Sequence, residues 1–142
     1  MREALLFIHF IGLALGLGTG FSYMALGIAT KNMTPAEKAP FFLRAFVLSK
    51  NGNIGLALLL LSGLGLFFLE GPANVMAAGG VYFKIKLVLF GILVCLIGYL
   101  SMLLAKIKRA GGGPLMAKIP KISPFSLMTT ILIVLMAVLA FR

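Results

Sequence analysis

His9 is the single histidine of the chain. An imidazole can carry a proton near neutral pH and can also ligate a metal. It lies three residues before Gly12, so the two stand about 60° apart on a helix. That spacing places His9 near a face of small residues and directs it toward a neighbouring helix. Two readings of it stand side by side: a ligand or proton carrier within a bundle, or an interfacial histidine bonded to a carbonyl or to water. Lys84 and Lys86 are the next candidates. Two helical residues separate them by about 200°, so at most one points inward. Lys84 shares a stripe with Gly91, Cys95 and Gly98, and Lys86 shares a face with Phe90 and Ile97. Either ammonium can instead snorkel to lipid headgroups. Glu3 and Glu70 belong to the same layer. Such a group can hold an anionic ligand and shift protonation equilibria, or form a solvated rim.

The elements that must position these residues are apolar. Of the 142 residues 61% are hydrophobic and 11% are charged, against about 25% charged in soluble domains. A short chain cannot hide that much apolar surface from water. The composition predicts an all-α integral membrane protein: a four-helix bundle in a single transmembrane domain, residues 1–142. The spans fall near 4–30, 54–69, 83–105 and 122–141. Arg2 precedes the first run as in a signal peptide, but the run is too long for one, and three more follow.

The first connection carries a helix signal in Thr34-Pro35-Ala36-Glu37: a capping threonine, proline at the first position, and a glutamate able to reach back. Pro40 should interrupt that turn. Phe41, Phe42, Ala45, Phe46 and Ser49 recur at helical spacing and suggest a short interfacial helix. Asn51-Gly52-Asn53 should end it. Glu70-Gly71-Pro72 closes the second span, and Ala73 to Gly80 should turn the chain.

A net charge of +10 raises nucleic-acid binding, but the cations cluster at the ends of uncharged runs. They read as interface anchors, so no nucleic-acid partner is expected and the lipid bilayer is. Nine of the 13 cations fall in the first and third connections: Lys31, Lys38, Arg44, Lys50, Lys106, Lys108, Arg109, Lys118 and Lys121. Those connections are placed in the cytoplasm, with both termini on the non-cytoplasmic side of a cell (inner) membrane.

Gly12, Gly16 and Gly20 fall four residues apart in the first span. Small residues at this spacing let helices approach closely. They suit packing within the bundle, a homodimer face, or a flat bay in which Gly12 and Gly16 meet a planar ligand. Cys95 is the sole cysteine, so no disulfide forms within the chain. The inner halves of the spans carry few polar side chains, which weighs against an ion path.

Phe7-Ile8-His9-Phe10-Ile11-Gly12, followed by Gly16, Gly18 and Gly20, resembles the first helix of small membrane proteins of the HemJ and CopD group. Leu58-Leu59-Leu60-Leu61-Ser62-Gly63 is similar to that group's Leu-rich stretch, and Lys84-Ile85-Lys86-Leu87 through Gly98-Tyr99 to its third helix. The resemblance covers three of the four spans. HemJ-type proteins imply a four-helix membrane fold, a b-type haem and protoporphyrinogen oxidation. His9 matches the group's first-helix histidine and Lys86 its third-helix lysine. The second histidine is replaced by Ile97, which cannot ligate iron. Three functions follow as expectations. One is a haem- or porphyrin-associated redox protein with His9 and Lys86 as catalytic residues and His9, Lys84, Lys86, Gly12 and Gly16 around the cofactor. The second is a CopD-like metal or ion transport component with His9 as the metal ligand. The third is a non-catalytic subunit, assembly factor or lipid-binding scaffold.

Overall fold

A computed structural model of the protein describes residues 1–110 and 119–140. Five helices make up the described residues: α1 (Arg2–Ala29), α2 (Pro35–Ala45), α3 (Leu48–Glu70), α4 (Pro72–Ala110) and α5 (Ile119–Ala140). Residues 111–118, which include Lys118, and residues 141–142, which include Arg142, lie outside the described residues.

Three helices, α1, α3 and α4, are long and apolar enough to cross a membrane. The apolar part of α5, Pro124–Ala140, is shorter. Burial fits a lipid solvent. Phe7, Phe68, Val81 and Phe125 are each about two-thirds exposed, while Ser62 and Thr130 are buried. Water would drive the opposite arrangement; among lipid tails apolar side chains face outward freely and polar ones turn toward protein.

The helix boundaries differ from the sequence expectation in three places. Pro40 lies inside α2, where it removes one hydrogen bond without ending the helix. The cap itself is as expected: Thr34 Oγ1 accepts from the Glu37 amide at 3.4 Å, with Pro35 in the first turn. Asn51-Gly52-Asn53 does not end a helix but lies within α3, which begins at Leu48. Tertiary contacts override the local turn signal there. Gly52 packs on Thr19 of α1, and Asn53 pairs with Ser101 of α4 at 3.4 Å. The reversal between α3 and α4 is more helical than expected. Gly71 and Gly80, with φ of 87° and 53°, bound it, a conformation that favours glycine. Pro72 starts α4 at once, and Asn74 Nδ2 bonds back to the Glu70 carbonyl. Ala73 to Gly79 is therefore helical, and α4 breaks later, at Gly80 (φ 53°, ψ −141°).

Helix order in the bundle decides where a site can form. The most extensive contacts join α1 to α3 and α4 to α5, and α1 also meets α5. Consecutive helices α3 and α4 touch sparingly despite their tight turn. The α1–α3 seam depends on glycine. A Cβ at Gly55 would stand 2.7 Å from the Gly12 carbonyl oxygen, and a Cβ at Gly12 would stand 2.8 Å from that of Gly55. Gly20 meets Leu127 of α5. The stripe expected to serve a homodimer is thus used within the chain at Gly12 and Gly20.

Arg2 Nε donates to Glu70 Oε1 at 2.7 Å, tying the start of α1 to the end of α3. Both side chains are substantially exposed, so the pair contributes about 1 kcal/mol or less. Arg2→Ala should leave the thermal midpoint of the solubilised protein within a few degrees of wild type.

Candidate functional site

The sparse α3–α4 contact leaves a cleft of about 320 Å³ between these helices, at the lower end of ligand-pocket sizes. α3 contributes Leu59, Leu60, Gly63, Leu64 and Phe67 to its wall, and α4 contributes Phe83, Lys86, Leu87 and Phe90. His9 of α1 completes the lining. Gly63 lies beside the imidazole: a Cβ there would stand 3.5 Å from His9 Cε1, in ordinary van der Waals contact.

Ser62 fixes the state of His9. Its hydroxyl donates to the Leu58 carbonyl, one turn back on α3. Having one proton, it then offers only lone pairs to the imidazole, and its Oγ lies 2.9 Å from His9 Nδ1. Nδ1 must therefore be the donor. In the neutral ring that leaves the lone pair on Nε2, the tautomer that can accept a proton or ligate a metal. Ser62 is almost fully buried, at 2% exposure, so water does not compete for the bond.

Lys86 is the second polar group of the cleft. Its Nζ lies 6.0 Å from the centroid of the Phe83 ring, at the outer reach of a cation–π contact. Phe83 stacks on Phe67 across the cleft, centroids 6.2 Å apart and planes 7° from parallel. A base and a cation thus share an otherwise aromatic and aliphatic slot.

The structure sorts the residues expected from sequence. His9 and Lys86 come together in one cleft. Lys84 is exposed and outside the lining. Gly12 is buried against the α3 backbone, so it cannot meet a ligand. Gly16 lines a different cavity, centred among all four long helices. Glu70 pairs with Arg2 instead of either lysine. Cys95, expected to be a packing thiol, is exposed. Among the described residues no group of three His, Cys, Asp or Glu could hold a metal ion.

Sequence reasoning treated Ser62 as a packing residue. The signal available was a lone hydroxyl within a run of leucines. Its pairing with His9, 53 residues away, depends on the α1–α3 register and had no local trace.

The cleft fits a haem in part. His9 Nε2 could hold one axial position of the iron, Lys86 could meet a propionate, and the phenylalanines could cover the ring faces. A second histidine is missing from the lining. Ile97, at the position of the second histidine in HemJ-type proteins, lines the central cavity instead. No family model matches the chain, and neither a curated protein nor a solved structure matches it.

Proposed function

We propose that the protein is a multi-pass inner-membrane protein whose α3–α4 cleft binds an anionic, planar, lipid-soluble ligand of the tetrapyrrole class. The fourth crossing is α5, which packs along α4 and reaches α1 through Leu127. The excess of cations in the first and third connections supports a cytoplasmic position for them and places both termini outside. α2 then lies along the cytoplasmic interface.

The observation that carries the ligand reading is the Leu58–Ser62–His9 relay of hydrogen bonds, which presents the Nε2 lone pair beside Lys86 in an aromatic cleft. A solvated rim histidine needs no buried partner to set its tautomer. Lys86 would neutralise a propionate, which cannot enter the membrane slot as an unpaired charge. Phe67, Phe83 and Phe90 would exclude water from the ring. The gap between α3 and α4 would let such a ligand enter from the lipid. Bound haem would supply a redox-active iron with one axial position filled by the protein. By the HemJ resemblance, oxidation of a porphyrinogen would be the redox reading of this site, with the electrons leaving for an acceptor outside the chain.

The test is a haemin titration of the full chain purified in mild detergent. One equivalent should produce a saturable, shifted Soret band. A linear change equal to that in protein-free micelles would defeat the proposal.

A further inference from the structure

We propose that the cleft and the central cavity are two halves of a proton path across the bundle, partitioned by Leu59. Leu59 lines both spaces. Along α3, the central cavity extends from Ser49 to Leu59 and the cleft from Leu59 to Phe67. Along α4 the order is mirrored, with the cleft at Phe83 to Phe90 and the cavity at Leu93 to Leu104. The two spaces are stacked along the bundle axis. From Ser49 to Phe67, α3 rises about 27 Å, close to the ~30 Å hydrocarbon thickness of a bilayer.

The central cavity has a volume of about 110 Å³, room for several waters. Its polar groups come from every long helix, contrary to the few expected from reading each span alone. Thr19 and Thr130 donate their protons to carbonyls of their own helices at 2.7 and 2.9 Å, and Ser49 donates to the Phe46 carbonyl just before α3 at 2.7 Å. Their oxygens therefore offer lone pairs, which in a membrane interior attract hydrogen-bond donors such as water. Among the described residues no Asp, Glu, Lys or Arg lines the cavity, and Tyr23 of α1 is its one ionisable group. Metal cations and anions find no counter-charge there, whereas a water chain passes protons without one.

Among the described residues, the one ionisable group facing His9 beyond Leu59 is Lys86 of α4, with the Ser62 hydroxyl supplied by α3. His9 Nε2 is the first proton acceptor on that side. Leu59 bars continuous water as an apolar constriction does. Phe46, 1% exposed, lines the central cavity next to the start of α3.

The inference rests on the membrane-crossing orientation and not on a bound tetrapyrrole. The test is proton flux into liposomes that carry the full chain and a trapped pH dye, driven by a potassium diffusion potential. Flotation after an alkaline wash reports insertion separately. Wild type should exceed protein-free vesicles, and Leu59→Ser should exceed wild type by roughly tenfold or more. Leu59→Phe should fall to background. So should Gly16→Leu, whose added side chain enters open space in the central cavity. Floating wild-type and Leu59→Ser proteins that both match protein-free vesicles would overturn the path. So would Leu60→Ser, which alters the cleft alone, if it leaked as fast as Leu59→Ser. A protein that failed to float would overturn the membrane reading and the path with it.

Discussion

Gly55→Leu should destabilise the bundle by about 3 kcal/mol or more, a severe overpacking effect. The first added carbon would meet the Gly12 carbonyl oxygen at 2.7 Å, the Gly16 amide nitrogen at 2.8 Å and Leu15 Cβ at 3.0 Å. The first two are backbone atoms, so no rotamer change relieves the contact, and α1 must move off α3. This seam is among the most extensive in the bundle, and it sets the distance between His9 and Ser62. Gly91→Ala and Gly98→Ala are the controls. An added Cβ at either has nothing within 4 Å, and alanine gains roughly 0.5–1 kcal/mol of helix propensity over glycine. Thermal aggregation in detergent should put Gly55→Leu far below wild type and both controls level with it or above. Equal midpoints for Gly55→Leu and wild type would show that the seam does not hold α1 to α3.

His9→Ala should weaken haemin binding by roughly 100-fold or more, and Ser62→Ala by roughly 10-fold, the usual consequence of losing a ligand and its orienting partner. The two losses differ in kind. Without Ser62 the imidazole remains, but Nδ1–H loses its acceptor and the proton can shift to Nε2, which silences the ligating lone pair. Ser62→Thr keeps the hydroxyl and should restore most of the affinity. Lys86→Gln removes the charge that would meet a propionate; it should weaken haemin while sparing the dimethyl ester of the same porphyrin. Equal titrations for all these proteins would place any binding outside the cleft.

The helical class was legible because uncharged apolar runs of this length have few other solutions. The cap at Thr34 and the tight turn beside Pro72 were legible because each is decided within four residues. Where long-range contacts compete, the local reading was overruled. Asn51-Gly52-Asn53 reads as a stop, yet α1 and α4 hold it helical through Thr19 and Ser101. Ala73 to Gly80 reads as a loop of small residues, yet it is helical up to the break at Gly80, between two glycines of positive φ. For the site, helical geometry allowed one inward lysine but left its identity open. Lys86 is that lysine because the break at Gly80 and the packing of Phe83 on Phe67 set the rotation of α4. Gly12 and Gly16, alike in sequence, part company through one turn of rise and an offset of about 40°: Gly12 meets backbone and Gly16 faces a cavity. The hydroxyls of the central cavity escaped notice because each helix contributes only one or two of them.

The central claim is that His9, held by Ser62 in the α3–α4 cleft, binds a tetrapyrrole. The most direct measurement is the visible absorption spectrum of wild-type protein extracted gently from cells supplied with a haem precursor, recorded beside His9→Ala. A Soret band that accompanies wild type through purification and is missing from His9→Ala is the predicted result. A wild-type spectrum without the band, or the same band in both proteins, would contradict it.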